Sequence, residues 1–434
     1  MAIYDDASPY LAGNFGPVSE EVTAVDLNVV GTIPSELSGR FLRNGPNPRE
    51  TPDMETHHWF FGEGMVHGIR IGDGKAQWYR NRYTGPAGEL GPNTNVIGHA
   101  GKTLALVESG PLPVELDDEL NIVGPTDLGG LPSGFTAHPH LDPTTRELHA
   151  VNYHWPDQVD KVHYVVVGAD GVVSKSIPIS APTMPMIHDM ALTQKYGAVF
   201  DLPVAVDFEM AMSGSPFPLR WFPDYNARVG LVPRSATTEE DVIWCEIDPC
   251  FAYHPMNSYD ADDGSVVIDI CEYDSMFDRD RNGPFRDSAP RLARWTVDPT
   301  SQKVHRETLD EQIHEFPRVA DAVSTLPYRY GYTAGGKPET SDWFYSTMKR
   351  DMTTGATEVR SWGTHCEVGE PVFVARENAA AEDDGWVMVL VYDSDRDTTD
   401  FVILEATDIT GDPVATIELP QRVPHGFHGN WVSD

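Results

Sequence analysis

The chain has 434 residues, with 67 acidic against 31 basic side chains and a formal charge of −36. That balance argues against a nucleic-acid partner or an anionic membrane face, both of which are bound by clustered Lys and Arg. The acidity reads as a solvated surface that keeps the protein soluble.

The opening segment MAIYDDASPYLAGNFG has no basic stretch followed by an apolar core, so a secretory signal is not expected. No later stretch is apolar for long enough to cross a bilayer. Four cysteines, Cys245, Cys250, Cys271 and Cys366, are too few and too irregular for a disulfide framework and read as small buried apolar groups. The expected location is a reducing cytoplasm. Down the chain, β-branched and period-two runs recur at 102–107 (KTLALV), 163–167 (HYVVV), 266–270 (VVIDI), 386–392 (WVMVLVY) and 401–405 (FVILE), and each predicts a strand. Turn chemistry at 72–74 (GDG), 142–145 (DPTT), 169–171 (ADG), 262–264 (DDG) and 298–302 (DPTSQ) suits hairpins. Helical periodicity is scarce, so the expectation is an antiparallel all-β chain of about two dozen short strands. That overfills one sandwich and suits a β-propeller, whose axis gathers segments from different blades. No composition shift marks a boundary: 1–434 reads as one domain, with surface loops at 278–290 and 377–385.

Four histidines stand in short segments marked by Pro, Gly or Asp: His138 in TAHPH, His188 in MIHDM, His254 in AYHPMNSY and His428 in GFHGNW. Any one of sixteen histidines, taken alone, is more often a satisfied core or surface imidazole than a ligand. As a set they suit a borderline metal, and such dispersed ligands converge only on a large closed scaffold, which excludes a local zinc finger. His140 is the chief rival to His138, because a His-x-His pair on a strand sends both rings to one face. The chain has no GxSxG elbow and no P-loop, and FGEGMVHG at 61–68 does not follow the dinucleotide fingerprint.

In order along the chain, GRFLRNGPNP (39–48), HHWFFGEGMVHGIRI (57–71), NTNVIGHAGKTLALVESG (93–110), GFTAHPHLDP (134–143), HDMALTQKY (188–196), EFPR (315–318), GEPVFVAR (369–376) and RVPHGFHGNW (422–431) resemble the carotenoid cleavage oxygenase family. That family also includes stilbene- and phenylpropene-cleaving enzymes. Eight segments in order, running almost end to end, carry the resemblance. It implies a seven-bladed β-propeller with loops and short helices capping an axial iron site, where His138, His188, His254 and His428 bind one Fe(II). It also implies that Glu108, Glu315 and Glu370 accept from three of those imidazoles, those of His188, His254 and His428, since a carboxylate orients a ligating ring and raises its basicity. Thr94 matches a threonine beside the open coordination site, and Phe60, Tyr83 and Val107 are candidate substrate contacts. His57, His58, His140 and His425 match no ligand position and read as packing or supporting groups.

The implied activity is O2-dependent cleavage of a C=C bond in a hydrophobic conjugated alkene to two carbonyl products, with the electrons drawn from the alkene itself. Relatives that cleave phenolic substrates commonly carry a lysine immediately before the first of the three glutamates. Val107 stands there instead, which favours a carotenoid or apocarotenoid polyene over a stilbenoid or a propenyl or vinyl phenol. The segment YTGPAGELGPN (83–93) is shorter than in many relatives, where it contributes to an apolar, membrane-facing entrance, and this favours a soluble apocarotenoid or a shorter alkene. A non-catalytic propeller that binds partners is the reading from another class; a complete metal shell speaks against it.

Overall fold

The computed structural model describes residues 9–50, 52–53, 57–284, 286–336 and 343–434, so the first eight residues of the opening segment lie outside the described residues. Two compact units are formed, one by Met1–Val107, Pro113–Pro125 and Arg329–Asp434, the other by Glu108–Leu112 and Thr126–Tyr328. Among the described residues, helix is limited to the five-residue turn Phe208–Met212, capped by Asp207, and four three-residue 3-10 turns. The remaining regular structure is β. Among the described residues it comprises 33 strands, against the roughly two dozen expected, because strands of two or three residues are too short to show a period.

All five apolar runs are strands: Lys102–Leu106, Lys161–Val167, Val266–Tyr273, Gly385–Asp393 and Thr398–Glu405. Each of the five turn segments closes a hairpin. In the first, Asp73 and Gly74 have φ of 53° and 67°, the left-handed pair that matches strand twist in a two-residue turn. The four cysteines are buried free thiols. Residues 278–284, 286–290 and 377–384 are loops, and no helix among the described residues is long and apolar enough to cross a membrane.

In the unit built around Thr126–Tyr328, His140–Leu141, Leu148–Asn152, Lys161–Val167 and Val173–Ser180 form a four-stranded antiparallel meander. An eight-stranded sheet follows. Its first half runs through Met190–Leu192, Tyr196–Asp201, Arg228–Pro233 and Ile243–Glu246, and its second through Phe251–Asp260, Val266–Tyr273, Arg291–Asp298 and Lys303–Ile313. A single parallel pair, Glu246 with Lys303, joins the halves, reinforced by an ion pair between the same side chains. Val204–Val206 and Leu219–Trp221 make a separate two-stranded ribbon. The sheets therefore differ from a set of equal four-stranded blades, because two meanders are bonded at their outer strands.

Burial falls outward across the second half of the eight-stranded sheet. Val266–Tyr273 is buried at every position, whereas Lys303–Ile313 has no buried position at all. The continuous apolar runs are strands covered on both faces, and the outer strands carry the charge. First strands are neighbours: Met190–Leu192 touches both His140–Leu141 and Phe251–Asp260, and the latter touches Glu315–Arg318.

In the other unit the two ends of the chain share sheets. Gly429–Ser433 pairs antiparallel with Gly39–Pro46, and Val29–Gly31 pairs with Ala415–Glu418. Phe41, Ile69, Tyr79, Trp386, Met388, Phe401 and Ile403 belong to the core between them.

Candidate metal centre

Three of the four candidate ligands, His138, His188 and His254, lie in the unit built around Thr126–Tyr328, each carried on, or two residues ahead of, the first strand of a meander: His138 before His140–Leu141, His188 before Met190–Leu192, and His254 within Phe251–Asp260. Because those strands are neighbours, residues far apart in sequence meet. A ring nitrogen of each of the three lies within 4.8 Å of the others, and all three side chains are buried.

The rings face one another through Nε2, at 3.0 Å between His138 and His188 and 3.1 Å between His188 and His254. Their outer nitrogens are engaged. His188 Nδ1 lies 2.5 Å from Glu108 Oε2, and His254 Nδ1 lies 2.7 Å from Glu315 Oε2. Each carboxylate accepts only, so Nδ1 carries a proton, and in the neutral form of either ring Nε2 then presents a lone pair. Lone pairs this close are repulsive unless a cation sits among them, and neutral imidazoles backed by carboxylates are the donor set of Fe, Zn, Cu or Ni. The residues fit a metal.

Both glutamates are held on their other oxygen by a buried tyrosine: Tyr153 donates to Glu108 Oε1, and Tyr273 donates to Glu315 Oε1 at 2.9 Å. Burial alone would raise the Glu315 carboxyl. Facing His254, together with the Phe316 N–H and the Tyr273 hydroxyl, outweighs this and holds it below its ordinary value. Phe316 has φ of 50°, a left-handed conformation unusual for a bulky residue, and its ring stacks on His254 with centroids 5.6 Å apart. Ser109, next to Glu108, is left-handed too, at 47°.

In the other unit His428 directly precedes Gly429–Ser433. Its Nδ1 is 3.2 Å from Glu370 Oε1, while the Gly429 N–H donates to Oε2 at 2.8 Å. The His428 N–H donates to the Thr94 carbonyl at 3.0 Å and its carbonyl accepts from the Asn44 N–H at 3.0 Å. Thr94 is buried, and its hydroxyl donates to Asn93 Oδ1 at 2.9 Å. Burial pushes the nearby Arg43 guanidinium down to about 9, against the influence of Glu370. Glu315 and Glu370 are only 3% and 7% exposed, so their loop-like sequence setting does not make them surface groups.

Phe60 is half-buried, with its ring 5.7 Å from that of Phe427 and 5.9 Å from that of Trp59. Tyr83 is buried beneath the Arg49 guanidinium, and its hydroxyl accepts from Asn47 Nδ2 at 2.8 Å. Val107 is half-buried, one residue past Lys102–Leu106. His140 stands outside the cluster of candidate ligands: its Nε2 lies 2.7 Å from Asp189 Oδ1, while His138 directs Nε2 at His188. Four residues of this region escaped sequence reasoning. Asp189 and Phe316 lie inside motifs and were readable there; Tyr153 and Tyr273 lie in none and carry no local signal.

The family model described as retinal pigment epithelial membrane protein matches residues 15–433. A carotenoid cleavage oxygenase of Mycobacterium tuberculosis is 40% identical across 99% of this chain and 98% of its own length. Resveratrol cleavage oxygenase 1 of Aspergillus fumigatus is 31% identical, covering 98% and 95%. Among solved structures, Pseudomonas brassicacearum lignostilbene dioxygenase superposes with a TM-score of 0.90 at 28% identity over 100% of both chains. Cobalt-substituted Synechocystis ACO gives 0.86 at 26% identity, covering 96% and 97%. With nearly its whole length matched, the chain belongs to the family of carotenoid cleavage oxygenases and the retinal pigment epithelial membrane protein.

Proposed function

We propose that the chain is a non-haem Fe(II)-dependent dioxygenase that cleaves a C=C bond of a carotenoid or apocarotenoid with O2 to give two carbonyl products. The observation that carries this is the convergence of Nε2 of His138, His188 and His254, with two of the rings fixed from behind by Glu108 and Glu315. The family motif adds His428, backed by Glu370, as the fourth ligand. Iron, when bound, supplies O2 activation. The protein residues keep the imidazoles neutral and oriented, and the three carboxylates offset the charge of a divalent ion. Thr94 is assigned to the open coordination site by its motif, and the Phe316 ring shields one face of His254 from water. No side chain is required as an obligatory acid or base.

The same reading makes 1–434 one seven-bladed propeller in the cytoplasm. Parting the eight-stranded sheet at the Glu246–Lys303 pair yields two four-stranded meanders, the form of a propeller blade.

Val107 in place of lysine favours the polyene. The TM-score of 0.90 to a lignostilbene dioxygenase favours a second reading, the same chemistry on a stilbenoid or propenyl phenol. The test is to incubate anaerobically purified, Fe(II)-loaded protein with O2 and carotenoids, apocarotenals and hydroxystilbenes, and to identify aldehydes by mass beside a His254→Ala control. Paired aldehydes from a polyene, lost in the control, are expected. Phenol cleavage alone would select the second reading, and iron binding without product would leave a binding module.

A further inference from the structure

We propose that Asp189 is the carboxylate that positions His138, and that His140 holds Asp189 in place. The inference rests on the metal-centre reading above and deepens it. His188 and His254 share one arrangement, with Nε2 inward and Nδ1 on a glutamate. His138 also directs Nε2 at its neighbours, and its Nδ1 faces Asp189 Oδ2 at 3.6 Å. Asp189 is 5% exposed, and a carboxylate that deep persists only with partners. Oδ1 has two: His140 Nε2 at 2.7 Å and the Met190 N–H at 2.6 Å. These fix the carboxylate plane and leave Oδ2 directed at His138. The 3.6 Å gap is longer than a hydrogen bond, and a movement of about 0.6 Å closes it. Closure would hold the proton on Nδ1 and keep the Nε2 lone pair free. The opposite tautomer carries a proton on Nε2, where no metal can then bind. His140, which reads from sequence as a rival ligand, is thereby a positioning residue acting through Asp189.

The experiment titrates the full-length apoprotein with Co(II), reading affinity by chelator competition and geometry from the d–d absorption bands, with a melting curve to check folding. Asp189→Asn keeps the size of the side chain and removes the charge. It is expected to lose about 10- to 100-fold in Co(II) affinity and to shift the bands, while Thr136→Ala, which removes only a hydroxyl hydrogen-bonded to the His138 N–H, leaves the bands in place. His140→Gln, at a position 26% exposed in its side chain, is expected to shift the bands in the same direction by less. Wild-type affinity and spectrum in Asp189→Asn, or an unchanged spectrum in His140→Gln should the first variant not fold, overturns the assignment. Failure of the wild-type protein itself to bind Co(II) overturns the metal-centre reading, a result distinct from either.

Discussion

The hydroxyl of Tyr273 lies 2.9 Å from Glu315 Oε1, on the opposite side of the carboxylate from His254. Burial pushes this phenol well above its ordinary range, so it remains a donor. Glu108 is bridged in the same way between Tyr153 and His188. The buried glutamates are therefore held from two sides, which fixes the angle at which each imidazole projects.

Tyr273→Phe removes a donor from a buried carboxylate and is expected to cost about 1–3 kcal/mol. Urea unfolding of the apoprotein measures it. Metal affinity should fall by less than in Glu315→Gln, which weakens the acceptor itself. An unchanged unfolding midpoint would show that the hydroxyl contributes nothing to holding Glu315.

Metal loading should stabilise the fold, because it relieves the facing Nε2 atoms of His138, His188 and His254. At free metal one hundred times the dissociation constant the gain is about 2.7 kcal/mol. Calorimetry with and without Co(II) or Fe(II) should show a higher melting temperature, abolished in His254→Ala. A metal-dependent rise of equal size in that variant would place the binding elsewhere.

Val107→Lys introduces a cation immediately before Glu108, at a position already half-buried. If the substrate is a polyene, the variant gains cleavage of hydroxystilbenes and loses carotenoid turnover. Efficient cleavage of resveratrol-like phenols by the wild-type protein would defeat this argument.

Legibility from the sequence followed the range of each interaction. The strand Gly385–Asp393 and its hairpin to Thr398–Glu405 are set by neighbouring residues, so period and turn chemistry suffice to find them. The meeting of His138, His188 and His254 depends on contacts between first strands of different meanders, to which no local pattern points; only the motifs do. Tyr153 and Tyr273 act over 45 and 42 residues of sequence on Glu108 and Glu315, and nothing near them marks the role. The Glu246–Lys303 pair was equally unreadable, since one parallel bridge has no periodicity.

Gly426 is required by close approach. A Cβ there would lie 2.7 Å from Gly45 Cα and 2.7 Å from Arg43 Cζ. Gly426→Ala should therefore destabilise by about 1–3 kcal/mol through overpacking, and disturb His428 two residues on. Gly369→Ala, whose Cβ meets nothing closer than 3.9 Å, is the control and should stay within about 0.5 kcal/mol of wild type. Equal melting temperatures for the two variants would remove the packing argument.

His149 provides a pH dependence that can be separated from the metal. Its ring is buried, with Nδ1 2.7 Å from the Tyr164 hydroxyl. Burial first, then the Arg234 charge, lowers it from 6.5 to about 3. The folded protein thus keeps this ring neutral where the unfolded chain protonates it. Its stabilising contribution is complete above pH 6.5 and is lost progressively as pH falls toward 3, because across that window the unfolded state binds the extra proton. One such group contributes a slope of about 1.4 kcal/mol per pH unit. The carboxylates also titrate there, so the informative quantity is the difference between wild type and His149→Gln, measured by urea unfolding of metal-free protein at several pH values. The variant should be less stable at neutral pH, where the Tyr164 contact is altered, yet lose stability less steeply on acidification. Parallel curves for the two proteins would mean that His149 is protonated in the folded state as readily as in the unfolded chain.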